Sequence, residues 1–91
     1  MSDDQQEMRL TDLKVDQILG FIISLTSSKA LQYLGVNLNG SSTDVDLSKA
    51  KVMIDCTSYL VDQITLLVKE EEAQGFKNLV SDLKLRYVKL T

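Results

Sequence analysis

The sequence contains no histidine and no proline, and it has one cysteine and four glycines among 91 residues. Without proline, the strongest helix breaker, and with long stretches of periodically spaced apolar residues, the chain is expected to be mainly helical. No histidine is present to activate a nucleophile or to hold a metal ion. The single cysteine, Cys56, cannot form an intramolecular disulfide, which suits a reducing cytoplasm.

Long hydrophobic runs are also missing. The most apolar stretch, residues 18–25, is much shorter than the roughly 20 residues that a membrane-spanning helix needs. Residues 1–10 are acidic and polar, without the apolar region of a secretory signal, so they are expected to form a disordered tail on a cytoplasmic protein. The rest, 11–91, is expected to form one helical domain.

The composition is that of an ordinary globular protein, with 44% hydrophobic and 25% charged residues and a net charge of −3. Nucleic-acid-binding proteins use a basic face, and this acidic chain has only scattered lysines and arginines. We therefore expect neither nucleic acid nor a membrane as its partner.

Apolar spacing predicts an all-α fold with helices at about residues 13–34, 47–66 and 70–89, packed as a small bundle. The second apolar stripe stops near Val68 and a new one begins at Ala73, which places a turn near 67–70. No glycine or proline separates the two stripes, so one long bent helix is the alternative.

Local signals mark the helix ends. Thr11 or Asp12 is predicted to cap the first helix and Asp46 the second, because their side-chain oxygens accept from free backbone amides. Gly35 is at the position after the first helix where a residue in the left-handed backbone conformation commonly ends a helix. Asp82 and Arg86 have the i,i+4 spacing of an ion pair on the third helix.

The first predicted helix is apolar around more than one side, which suggests that a second copy of the chain covers the extra side. A chain this short is marginal as a lone monomer, so a homo-oligomer, with a dimer favoured, is expected. Gly20, Ser24 and Ser28 recur every four residues and are candidate self-association residues, because small side chains let another helix approach closely. Alternatively, they fill tight positions inside the monomer.

The second helix carries an apolar face at spacings of three and four residues: Ala50, Met53, Ile54, Thr57, Leu60, Val61 and Ile64. The third shows a similar stripe: Ala73, Phe76, Val80, Leu83, Tyr87 and Leu90. With no histidine to activate it, Cys56 is predicted to be a buried, inert thiol.

No site for metal, phosphate or catalysis is predicted. The connector at residues 36–46 is rich in Asn and Asp but lacks the order of a calcium loop, and Gly40 is not followed by the Gly-Lys-Ser/Thr of a phosphate loop. Asp55 and Asp62 would share a helix face roughly 10 Å apart, which is far for two carboxylates acting on one small substrate.

Two segments, VDLSKAKVMID at 45–55 and DLKLRYV at 82–88, resemble motifs of an uncharacterised bacterial family catalogued as domain of unknown function 1844. The resemblance extends over about residues 20–89. The spacing between the two segments also agrees. The positions that match the family are Val45, Asp46, Leu47, Ala50, Ile54, Asp55, Asp82, Leu83, Arg86, Tyr87 and Val88.

The chain departs from that family in three places. Residues 63–68 replace its usual Lys-Thr-x-Gly-Asn-Leu turn, the loop after Gly35 has no proline, and the first helix is shifted in register by one residue. The resemblance implies a fold but no established activity, cofactor or partner.

Asp55, Arg86 and Tyr87 are candidate structural or interaction residues. Asp55 and Arg86 lie beside apolar faces of neighbouring predicted helices, so one hypothesis is that they pair, or bond Tyr87, across the helix contact. The alternative is two separate solvated charges.

Three functions are considered. The first is a small non-enzymatic helical protein that self-associates and binds an unknown protein partner. The second is a carrier or sensor of a small apolar ligand held between helices. The third, with least support from the residues, is a small enzyme that uses carboxylates.

Overall fold

The computed structural model describes residues 12–36 and 44–91. They contain three α-helices, α1 (Val15–Tyr33), α2 (Leu47–Ile64) and α3 (Glu70–Leu90). No strand occurs among the described residues. The predicted all-α fold is therefore confirmed, and each helix end lies within two residues of its predicted position.

The α1 helix begins later than the sequence suggested. Thr11, one of its two predicted caps, lies outside the described residues, and Asp12 precedes the helix without capping it. Lys14 occupies the N-cap position, and its backbone N–H donates to Gln17 Oε1 at 2.9 Å. The side chain of a glutamine three residues later accepts the hydrogen bond of that amide, as the N3 side chain does in a capping box.

Two other predicted helix ends are confirmed. Asp46 caps α2, where its Oδ1 accepts from the Lys49 N–H at 3.1 Å. Gly35 follows α1 with φ of 91°, the left-handed conformation that glycine adopts without a steric penalty. The Val36 N–H then reaches back to the Leu31 carbonyl at 2.9 Å, which is the bond of a Schellman ending.

A turn at residues 65–69 separates α2 from α3, so the alternative of one long bent helix is wrong. The Leu67 N–H bonds the Ile64 carbonyl at 2.8 Å and tightens the last turn of α2. Lys69 is the N-cap of α3 in an extended conformation. Acidic residues at 70–72 then lie beside the positive end of the α3 dipole.

The core consists of two clusters along the bundle. One contains Ala30, Leu34, Ala50, Ile54 and Leu83, and the other contains Ile23, Val61, Ile64 and Val80. The end of α1 meets the start of α2 in the first cluster, so these helices run antiparallel. They make the most extensive contact in the fold, while α3 packs chiefly on α2 and only slightly on α1.

The predicted apolar stripes are largely correct. Five of the seven α2 positions are buried, and Met53 and Leu60 are half-buried. On α3, Leu90 departs from the prediction because it lies exposed in the last turn.

Cys56 is exposed, so its prediction as a buried thiol was wrong. Its neighbour Thr57 is completely buried, and consecutive helical residues point about 100° apart. Thr57 Oγ1 lies 2.7 Å from both the Met53 carbonyl oxygen and Thr26 Oγ1, which joins α2 to α1 by a buried polar contact. Cys56 is thereby turned out of the core.

Candidate functional site

Two hollows lie side by side on the surface between α1 and α2. The first has a volume of about 450 Å³ and the second about 430 Å³. The first is lined by Ile22, Thr26, Asp55, Cys56, Tyr59 and Leu60. The second is lined by Lys29, Tyr33, Ser48, Lys49, Val52 and Met53.

The two hollows are successive parts of one groove. Their α1 residues, at 22, 26, 29 and 33, are spaced by four, three and four residues, which places them on one side of the helix. Their α2 residues also continue from one hollow to the next, from Val52 and Met53 to Cys56 and then Tyr59. We call this continuous surface, defined by the twelve lining residues, the α1–α2 groove.

Large apolar side chains stand exposed along this groove. Val52 is 56% exposed and Tyr59 is 64% exposed on α2. Outside the twelve lining residues, Leu25 is 55% exposed and Phe21 is 59% exposed, and they continue the apolar surface of α1 away from the groove, towards the side that carries Ser24. The predicted second apolar side of α1 is present, and in the described structure its side chains face solvent.

Positive charge gathers at one end of the groove. Lys29 Nζ lies 5.1 Å and Lys49 Nζ 5.8 Å from the centre of the Tyr33 ring, both within the range of a cation–π contact. Lys29 also donates to Gln32 Oε1 at 3.2 Å. The other end has no comparable pair of cations among its lining residues, so the groove is electrostatically asymmetric.

Asp55 is on the rim of the groove, and Lys51 holds it there by a contact of 2.8 Å between Nζ and Oδ2. The hydrogen bond that Lys51 donates to Asp55, together with the charge of that carboxylate, raises the pKa of Lys51 above the usual 10.5, and the nearby Tyr87 adds a smaller effect. This pair was not foreseen, although its i,i+4 spacing is visible in the sequence.

Replacing Asp55 by asparagine should return the pKa of Lys51 towards its usual value, because the main cause of the rise is removed. The titration of the Lys51 side chain, followed by NMR, measures this directly. With the raised pKa, the pair stabilises the fold below the unfolded-state pKa, and that contribution disappears as pH rises through the folded-state value. Asp62→Asn is the control and should leave the Lys51 titration unchanged; an unchanged titration in Asp55→Asn would contradict the assignment.

The structure does not bring Asp55 and Arg86 together as an ion pair. Arg86 Nε instead contacts Asp82 Oδ2 at 2.9 Å, which confirms the pair predicted within α3. All four charged side chains of the two pairs are about half exposed or more, so the hypothesis of a buried charge pair was wrong. Each of these charged side chains pairs with an opposite charge one turn away on its own helix. Tyr87 is half-buried against the cluster that contains Leu83.

The small residues of α1 lie away from the groove. Gly20 and Ser24 are two residues before and after Ile22, about half a turn around the helix. A Cβ on Gly20 would lie 4.0 Å from Ile64 Cδ1 of the same chain, in ordinary van der Waals contact. Ser24 is exposed and Ser28 half-buried. A contact with a second copy at these three residues remains a prediction.

The part of the chain that the structure describes contains no group of three or more side chains that could hold a metal ion. None of its helices is long and apolar enough to cross a membrane. Every buried side-chain nitrogen or oxygen in these residues has a hydrogen-bond partner.

The model of a family described as a domain of unknown function, DUF1844, matches residues 14–89. No curated protein and no solved structure matches the chain. The matched segment covers α1, α2, all of α3 except its last residue, and both core clusters. The chain therefore belongs to the DUF1844 family.

Proposed function

We propose that this protein is a non-enzymatic, cytoplasmic interaction protein that self-associates and offers a second surface to a protein partner. The α1–α2 groove is the observation that carries the proposal. Its apolar side chains are exposed in the single chain, and contiguous exposed apolar surface on a small protein is typical of an interface.

A non-enzymatic role is supported by the state of the carboxylates. Asp55, the acidic residue of the groove, is 61% exposed and bonded to Lys51. Asp62 is exposed as well. Carboxylates that act as catalytic acids or bases usually lie in sites that exclude water, and neither of these does.

A candidate surface for the protein partner lies at the end of α3. Leu85 and Val88 are exposed there, with Lys84 and Lys89 on either side. A hollow of about 350 Å³ between this end and Leu34 adds a recess. Apolar side chains among cations suit a partner segment that is both apolar and acidic.

Native mass spectrometry of the untagged protein, over a range of concentrations, tests the proposal. We expect a dimer or a higher oligomer without bound small molecules, and its fraction should rise with protein concentration by mass action. A chain that stays monomeric at every concentration would contradict self-association. Light scattering after size exclusion provides an independent mass in solution.

A second candidate function is the transport or sensing of a small apolar ligand. The observation in its favour is the size of the two hollows, since small-molecule sites commonly measure about 300–1,000 Å³. This function predicts a monomer that carries a reproducible extra mass in the same spectra.

A further inference from the structure

We infer that the α1–α2 groove is the contact surface between two copies of this chain, related by a two-fold axis that sets each α1 antiparallel to the other. The inference rests on the proposed self-association and specifies its surface and geometry. Four features of the groove support it: its shape, its charge, its area and the position of Cys56.

Shape is the first feature. In a two-fold interface the same patch serves both partners, so it must contain both protrusions and the recesses that receive them. The α1–α2 groove has both on one face. The side chains of Tyr59 and Val52 stand exposed, and hollows of about 450 and 430 Å³ lie beside them. A tyrosine entering a recess with its hydroxyl near the rim is a typical anchor of a protein interface.

Charge selects the orientation. Lys29 and Lys49 lie together at one end of the groove, around Tyr33. Lys49 Nζ also lies 3.9 Å from Asp46 Oδ2, so each copy carries two lysines and one carboxylate at this end. A parallel arrangement would bring these two positively charged ends together, and the repulsion between like charges would oppose association. An antiparallel arrangement sets the two cationic ends at opposite ends of the interface.

The exposed area of the groove is that of an interface centre. Tyr59, at 64% exposure, leaves roughly 100–150 Å² of aromatic surface open, and Val52, at 56%, adds apolar area on α2. The half-buried residues of the groove add more. A standard interface takes roughly 800 Å² from each partner, so the groove forms its apolar centre and the polar residues around the groove form its rim.

Cys56 lies near the middle of the groove. Along α2 it stands between Lys49 at the cationic end and Tyr59, and Thr26 faces it across the first hollow. A two-fold axis passes through the centre of the patch that it relates. The two Cys56 thiols are therefore close together in the dimer, and both are exposed in the single chain.

Two glutamate substitutions, one inside the groove and one on the side of α1 away from it, test which surface forms the contact between copies. Tyr59→Glu places a charge in the groove, and we expect the dissociation constant of the dimer to rise at least about 30-fold. Ser24→Glu places the same charge on the side of α1 that carries Gly20, and we expect the dissociation constant to stay within about threefold. Both positions are exposed, so both variants should keep the helical circular dichroism of the wild type.

A short bismaleimide, which links two nearby thiols without any redox step, tests the geometry. We expect a Cys56–Cys56 dimer on denaturing gels with the wild type and with Ser24→Glu, and none with Tyr59→Glu. A dimer that dissociates in Tyr59→Glu but gives no cross-link in the wild type would overturn the antiparallel two-fold arrangement.

Three other outcomes distinguish a failure of the groove as the interface from a failure of self-association. A dimer that survives Tyr59→Glu and dissociates in Ser24→Glu would overturn the groove as the interface and leave self-association intact. A wild type that is monomeric at every concentration would overturn both. A monomer with a bound small molecule that Tyr59→Glu releases would assign the groove to a ligand.

Discussion

Replacing Leu83 by alanine is expected to lower the free energy of unfolding by about 2–5 kcal/mol, the range for truncating a fully buried leucine. Leu83 is completely buried, and it is the α3 residue in the cluster formed by Ala30, Leu34, Ala50 and Ile54. The small side chains of Ala30 and Ala50 cannot extend to fill the cavity. Because small domains are stable by only about 5–15 kcal/mol, the loss is a large part of the total.

Urea unfolding followed by circular dichroism, at one fixed protein concentration, measures the effect. Leu85→Ala is the matched control, two residues along the same helix and 54% exposed, and it should change stability by less than about 0.5 kcal/mol. Equal losses in the two variants would contradict the placement of Leu83 in the core. The concentration is kept fixed because the proposed self-association would also contribute to the measured stability.

Enlarging Ala50 to leucine is expected to destabilise the fold by about 1–3 kcal/mol, through overpacking rather than a cavity. Ala50 is completely buried where the start of α2 meets the end of α1, and its neighbours there include Ala30. A side chain three carbons larger has no space at this crossing, so it forces the two helices apart or adopts a strained rotamer.

The same unfolding measurement applies to Ala50→Leu. Val88→Leu serves as its control, because it also enlarges a helical side chain but at a position that is 63% exposed and outside the α1–α2 groove. The control should stay within about 0.5 kcal/mol of the wild type. A neutral Ala50→Leu would mean that α1 and α2 are not in close contact at this crossing.

Features that depend on neighbours in the chain were predictable from the sequence. The Asp46 cap, the left-handed Gly35 and the Asp82–Arg86 pair are set by residues within about four positions of one another. The same holds for the apolar stripe of α2, which follows the helical period.

Features that depend on the rotation of one helix against another were not predictable. Cys56 is a small residue next to the buried stripe of α2. Whether it is buried or exposed depends on how far α2 is rotated about its own axis relative to α1. The second apolar side of α1 was visible, but the α2 residues that complete the groove, such as Val52 and Tyr59, were not assigned to it. Asp55 pairs with Lys51 on its own helix, and the hypothesis of a pair with Arg86 across two helices overlooked that nearer partner.

The order in which the helices contact one another has a consequence for folding. The extensive contacts are between consecutive helices, α1 with α2 and α2 with α3, so most contacts join segments that are close in sequence. Chains with such low contact order fold in microseconds to milliseconds. During synthesis from the N-terminus, the α1–α2 hairpin leaves the ribosome before Leu83 is available to close its core. The nascent hairpin therefore exposes two apolar surfaces for a time, one that α3 later covers and one, the α1–α2 groove, that stays exposed in the folded chain.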